Sequence, residues 1–386
     1  MVMNTGWEGR TRAWRLLELI AIADPGDQAF AEAAELAASL PEHDELIVLA
    51  ARQRLVPALA DFLRRVNLLT TVHAGTRQLL RQSLEWNRLK TSLLLTEART
   101  IRDRFQREEL SVVFNKGIVL QSSLYDLRGI RSFEDIDLMI LPGQRQETAA
   151  ALTSLGYTPE TKYDEVNERL VSISRERKLL FQLYPDHLPH FMRIPAEPGV
   201  AYSAIDVAFS LSWYNCAWQV PMEQVLAHPG DVQVSSESDD TLPALAPGYG
   251  FLFIVLHLFR ESWFENAIRT GNLRLPQFAD VYKFWQRYGP AHGGEMRELI
   301  DRYSLGPPCA WVCHHTDQLF GSDIVAGLSL TEYCDPAWLT SAGAADGGYL
   351  SWEGDMRSRV CQGGVPDLAP TEDPPFGRQA RTPVAR

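Results

Sequence analysis

The chain has 386 residues, 45% of them hydrophobic and 22% charged, which is ordinary globular composition and enough length for two or three packed units. Its net charge of −12 excludes a broadly basic surface of the kind that grips phosphate backbones, so bulk nucleic acid is not an expected partner. Five scattered cysteines, Cys216, Cys309, Cys313, Cys334 and Cys361, are too few for a disulfide framework and point to a reducing, cytoplasmic setting.

Near the N-terminus, the apolar stretch Leu16 to Ile22 contains Glu18. It is too short and too polar for a signal peptide or a membrane span, so no membrane partner is expected. Residues 12–110 read as helices. "TRAWRLLELIAIA" places apolar residues at helical spacing and Asp24-Pro25-Gly26 ends it, while "DELIVLAARQRLVPALADFLRRV" repeats the pattern with Pro57 at a break. The segment "TRQLLRQSLEWNRLKTSLLLTEARTIRDRFQREE" reads as one long amphipathic helix whose Glu and Arg residues form a solvated face.

The character changes at residue 111. "SVVFN" is a short strand stopped at Lys116-Gly117, a helix follows around "IVLQSSLYDL", and "FEDIDLMIL" has strand composition. "RQETAAALTSLGY" reads as a helix ended by Gly156. "RLVSIS", "KLLFQLY" and "SAIDVAFSL" are further strand candidates, so 111–215 reads as an α/β or α+β unit. The Pro-, Gly-, Ser- and Asp-rich stretch "HPGDVQVSSESDDTLPALAPGYG" reads as a connecting loop within 216–247. Helices return over 248–334 in "YGFLFIVLHLFRESW", "PQFADVYKFWQRYG", "GEMRELIDRYS" and "PCAWVCHHTDQLFG". From 335 to 386 periodicity is lost, and a largely flexible tail is expected, with "YLSW" as a short ordered piece and "GGVPD" as a turn.

Two negative charges one residue apart in an apolar run need a reason. Side chains alternate along a strand, so Phe133, Asp135, Asp137 and Met139 share one face, and Ile136, Leu138 and Ile140 share the other. Adjacent carboxylates repel each other unless a cation compensates, and Mg2+ takes oxygen ligands while leaving positions for substrate phosphates. The competing reading of any D-x-D is a wet edge strand whose aspartates are idle. The setting favours the metal, because "SAIDVAFSL" offers Asp206 on a second strand. If the two strands pair, three carboxylates converge and can hold two ions, one activating an attacking oxygen and one neutralising a triphosphate leaving group.

Lys116-Gly117, then a helix, "RSFEDIDLMI", a helix ending in "LGY" and "AIDVAFSLSW" together resemble the uncharacterised nucleotidyltransferase family of the DNA polymerase β-like superfamily. The likeness extends to "LAARQRLVPALADFLRR" and to "FLFIVLHLFRESWFENAIRTGNLRLPQFADVYKFW", so it spans roughly residues 12–300 and is most specific in 115–140. It implies an α+β fold, a small mixed sheet at 111–215 flanked by helical domains at 1–110 and 248–334. It also implies Asp135, Asp137 and Asp206 as catalytic, metal-binding residues, with Lys116 and Gly117 cradling nucleotide phosphates. A glycine would let backbone approach the phosphates at a helix N-terminus. Arg131 would steady the phosphates or a carboxylate, or form a structural ion pair. The chain departs from the family in three places. Ile118 follows Gly117 where Ser is usual in the superfamily, Asp135 lies 18 positions after Gly117, and Ser212 stands where the family commonly has His.

Other constellations carry two readings each. His187 and His190 in "YPDHLPHFMR" could face the site or lie on a surface loop, and Arg175, Arg177 and Lys178 could meet phosphates or water. Cys309, Cys313 and His314 lack a second ligand pair for zinc and read as core residues. His257 reads as a core or interhelical histidine and Asp280 as a packing residue, with the pocket as the alternative for both. The expected function is Mg2+-dependent transfer of a nucleoside monophosphate from an NTP to a small-molecule, peptide or protein acceptor with pyrophosphate release. A non-catalytic nucleotide- or peptide-binding protein and a metal-dependent phosphohydrolase are the alternatives.

Overall fold

The computed structural model describes residues 5–40, 44–183, 186–195, 200–214, 216–235, 239–362 and 365–380. Its centre is a mixed seven-stranded sheet in the order β3-β6-β7-β2-β1-β9-β8. The strands are β1 (Val112–Asn115), β2 (Asp135–Ile140), β3 (Thr158–Pro159), β6 (Phe191–Arg193), β7 (Ser203–Ala208), β8 (Gly230–Gln233) and β9 (Thr241–Ala244); β4 (Thr161–Asp164) and β5 (Arg169–Ser172) form a separate hairpin. β2 lies antiparallel to β1 and parallel to β7, so the two acidic strands are neighbours and run the same way.

One face of this sheet is apolar. Ile136, Leu138, Ile140, Ile205 and Val207 share a core with Leu94, Ala98 and Ile101 of the helix Ala74–Arg107. Period-two alternation therefore drives the aliphatic positions of both strands toward that helix and leaves the aspartates on the other side. The helix itself is not merely solvated on its charged side. Arg99 and Arg102 pair with Asp240, Arg102 Nη1 lying 2.5 Å from Asp240 Oδ1, and Glu97 pairs with Arg193. Its first half reaches a different core, where Leu80 and Leu84 pack with Leu16, Leu17, Leu59 and Leu63 from the N-terminal helices. That core also contains Phe251, Phe259, Trp263, Trp311 and Trp338, so the helices before and after the sheet in sequence pack as one body. Each such fully buried side chain contributes about 1.5–3 kcal/mol of transfer free energy.

Four expectations change. The stretch expected to be a connecting loop within 216–247 supplies β8 and β9; Val232, Leu242 and Ala244 are buried, and β9 joins β1 at Ala244 opposite Phe114. "KLLFQLY" belongs to the helix Arg175–Leu183, a run of good helix formers whose N-terminus Ser174 caps, its Oγ accepting from Arg177 N at 3.2 Å. Tyr184, the last residue of that stretch, and Pro185 lie outside the described residues. The two segments "PQFADVYKFWQRYG" and "GEMRELIDRYS" are one helix, Leu275–Arg302, continuous through Pro290.

The segment after 335, expected to be largely flexible, holds a three-stranded antiparallel sheet of β10 (Ser341–Gly343), β11 (Tyr349–Trp352) and β12 (Leu368–Thr371). Trp352, Met356, Val360 and Ala380 are buried, and Gln53 Nε2 donates to the Val360 carbonyl at 3.1 Å. Gly363 and Gly364 of the expected turn lie outside the described residues. Among the described residues no helix is long and apolar enough to cross a membrane.

Candidate active site

Backbone register assembles the acidic centre. Asp137 on β2 stands opposite Asn115 on β1 and opposite Asp206 on β7, while Asp135 stands opposite Ala204. All three carboxylates thus face away from the long helix, and the helix Pro247–Trp263 roofs the cleft they line. Lys116, at the start of the helix Lys116–Leu124 and with a φ of 38°, donates from Nζ to Asp137 Oδ1 at 2.9 Å. Burial works against its charge, yet Asp137, Asp206 and Asp135 hold the ammonium well above the ordinary lysine range.

Asp135 and Asp206 are pushed in opposite directions. Asp137, with burial added, pushes the Asp135 carboxyl up to about 7. Burial would raise Asp206 too, but His190 and Lys116 outweigh it and keep that carboxyl below the usual range. Asp206 Oδ1 is buried without a hydrogen-bond partner, and His190 Nε2 lies 3.8 Å from it. Among the described residues no three His, Cys, Asp or Glu side chains already converge as a metal cluster. The donor set is nonetheless all oxygen, contains one unpartnered carboxylate atom and carries more negative charge than Lys116 offsets, which is what a hard divalent cation requires.

Gly117 sits in the cleft wall, but the neighbour that demands glycine is Phe133. A Cβ at this position would lie 2.7 Å from the Phe133 ring. Gly117→Ala is therefore expected to cost about 1–3 kcal/mol in urea unfolding, part of it recovered by adding Phe133→Leu. Equal midpoints for Gly117→Ala and wild type would refute this packing role.

Arg131 takes the structural alternative. Its Nη2 and Nε donate to Asp280 at 2.8 and 3.1 Å, and Tyr125 OH donates to the same carboxylate at 2.7 Å. Both residues still line the cleft. His187 and His190 flank Asp206, His187 Nδ1 lying 2.5 Å from Asp186 Oδ1. Arg175 and Arg177 are exposed and Lys178 pairs with Glu160 at 2.6 Å, all away from the cleft. Cys309 and Cys313 are fully buried in the helical core, where burial pushes both thiols up.

His257 is at the site and brings a residue that sequence reasoning missed. Glu261, one helical turn on, lies 3.0 Å from His257 Nε2 and accepts from Gln277 Nε2 at 2.7 Å. Burial would raise the Glu261 carboxyl, but His257 and Lys116 bring it down to about 2. The i, i+4 spacing of His257 and Glu261 is the signal that could have found it.

Three cavities meet around these groups. One of about 310 Å³ is lined by Lys116, Gly117, Asp135, Asp137 and His257. A second of about 320 Å³ opens beside it toward Arg54, Gln53 and Lys283, and a third of about 170 Å³ lies on the Asp206 side. No curated protein matches the chain. A family described as an uncharacterised nucleotidyltransferase matches residues 40–321, the span that holds all three cavities' acidic groups, and the chain belongs to that nucleotidyltransferase family.

Proposed function

We propose that the protein transfers a nucleoside monophosphate from an NTP to an acceptor hydroxyl, with Mg2+ and release of pyrophosphate. One observation carries the reading: Asp137 and Asp206 are register partners on adjacent parallel strands, with Asp135 on the same face and Lys116 against Asp137. The Asp135 side of the cleft takes the triphosphate, where Lys116 and the start of the Lys116–Leu124 helix offer positive charge to phosphate oxygens. Asp135, Asp137 and Asp206 would hold the metal. When bound, it supplies charge neutralisation at the triphosphate and lowers the pKa of the attacking oxygen.

Asp206 performs the proton step. Kept ionised by His190 and Lys116, it accepts the acceptor's proton as the oxygen attacks the α-phosphorus. A new O–P bond forms, the bond between the α-phosphorus and the bridging oxygen breaks, and pyrophosphate leaves. Glu261 fixes His257 at the junction of the nucleotide cleft and the Asp206 cavity, where the imidazole can orient either substrate.

The test is incubation with each labelled NTP, Mg2+ and a mixture of small-molecule, peptide and protein acceptors, with wild type and Asp135→Ala in parallel. Label on an acceptor with stoichiometric pyrophosphate, lost in the variant, supports transfer. Transfer that survives in Asp135→Ala overturns the site. Tight NTP binding without turnover favours a binding protein, and release of phosphate or nucleotide with no labelled acceptor favours a phosphohydrolase.

A further inference from the structure

We propose that the outer face of the helix Ala74–Arg107 docks an acidic, amphipathic helix of a partner protein. The inference is independent of the transfer reading above.

Apolar side chains mark the track. Leu79 and Trp86 are each 52% exposed, Leu89 is 46% exposed, and Leu93 is half-buried. Single exposed apolar residues are ordinary, but these four follow one another at intervals of seven, three and four positions along one helix. That spacing sets them in one row, on the side away from Leu80 and Leu84, which the core holds. From Leu79 to Leu93 the row runs about 21 Å, close to four turns, a length over which two helices interlock. At its end Leu93 lines a cavity of about 650 Å³ with Leu155, Ile194 and Val200, which has room for a bulky apolar side chain.

Charge then selects the partner. Between Val56 and Lys90 the chain has six Lys and Arg side chains against two carboxylates, a local charge of +4 in a protein whose net charge is −12. One of the two carboxylates, Asp61, is buried and already meets Arg64 and Arg65 at 2.7 Å and Arg88 at 3.3 Å. One carboxylate cannot balance three guanidiniums, and all three arginines remain exposed. Arg77 and Arg81 continue the ridge on the flank of the helix that Arg88 shares, and Glu85 is the single acidic residue from Arg77 to Lys90. Carboxylates on a docked helix would meet this surplus of positive charge while its apolar stripe covers the row of Leu79, Trp86 and Leu89.

The same two features argue against other occupants. A second copy laid symmetrically on this face would set one ridge of arginines against another, and like charges across an interface repel. A nucleic acid would meet the arginines but gain nothing from Leu79 and Leu89. Trp and Arg are also the residue types that most often anchor protein interfaces, and Trp86 stands at the middle of the row.

Fluorescence anisotropy on the full chain tests this with two labelled helical peptides of about 21 residues. Both carry leucine at alternating intervals of three and four; one has glutamate at the flanking positions and the other lysine. The glutamate peptide is expected to bind at least about tenfold more tightly than the lysine peptide, and to weaken as salt rises. Trp86→Ala combined with Leu89→Ser should weaken it about tenfold or more. Arg81→Glu, a change confined to an exposed side chain, should weaken it about fivefold and flatten the salt dependence. Thermal melts identify a variant that has simply unfolded.

Absence of binding, equal binding of the two peptides, or an affinity that neither folded variant changes overturns the proposal. A dimer in sedimentation equilibrium that Trp86→Ala with Leu89→Ser dissolves also overturns it, since the face then belongs to a second copy. Tighter binding of a labelled single-stranded RNA or of anionic phospholipid vesicles than of the glutamate peptide, lost in Arg81→Glu, assigns the face to phosphates and overturns it as well. All of these outcomes leave the transfer reading untouched.

Discussion

Asp135→Asn is expected to stabilise the free protein at pH 8 by about 2–4 kcal/mol and, in the same stroke, to abolish nucleotidyl transfer. The first effect follows from electrostatics. Asp137 and burial push the Asp135 carboxyl from 3.8 up to about 7, so the folded protein holds a proton there that the unfolded chain has released. Between about pH 4 and pH 7 the folded state binds the extra proton, and stability therefore falls as pH rises through that window and levels off above it. One pKa unit is worth about 1.4 kcal/mol, which sets the scale of the gain when the ionisable group is removed.

An asparagine cannot ionise, so its contribution should be flat across the same range. Urea unfolding of both proteins from pH 4 to pH 8 in chelator checks this: the wild-type curve should fall away below the asparagine variant's as pH rises, widening the gap between them. Parallel curves would show that Asp135 and Asp137 do not share a repulsive field. Millimolar Mg2+ at pH 8 should raise the wild-type melting temperature and leave that of Asp135→Asn nearly unchanged, since the cation relieves a repulsion that the variant no longer has. A site that weakens the fold until its ligand arrives is a functional signature that a purely structural acidic edge would lack.

How far the sequence reached, and where it stopped, has a physical pattern. β1, β2 and β7 were legible because each has aliphatic residues on one face, and period two then placed Asp135, Asp137 and Asp206 together on the other. Their pairing was legible only through the family resemblance, since nothing local specifies that β2 and β7 lie side by side. β8 and β9 were not readable. Pro243 breaks the strand signature, and β9 tolerates it because its pairing with β1 is at Ala244. The helix at 175–183 reads as a strand in the sequence because a short leucine-rich run has no distinguishing period. The tail hides its order in isolated apolar residues, Trp352, Met356 and Val360, and in contacts such as that of the Val360 carbonyl with Gln53, 307 positions away. Glu261 needed the packing of its helix over the sheet before its role in the cleft could be seen.

Arg131→Ala is expected to destabilise the protein by about 3–5 kcal/mol, the largest loss predicted for any single substitution here. Asp280 is 4% exposed and receives two hydrogen bonds from the Arg131 guanidinium and one from Tyr125. Removing the cation leaves a buried carboxylate with a single neutral donor, which costs far more than the intact pair contributes. The pair ties the segment leading into β2 to the helix Leu275–Arg302, 149 residues away in sequence, and so anchors the acidic strand to the helical body. It follows that Asp280→Leu placed on top of Arg131→Met should recover most of the loss, because two apolar groups need no partner. Urea midpoints for the two single variants and the double one decide the matter. A double variant whose loss equals the sum of the single losses would mean that the two side chains are not coupled. Recovery in stability without recovery in transfer would then separate the anchoring of β2 from any contact that Arg131 makes with the nucleotide in the cleft it lines.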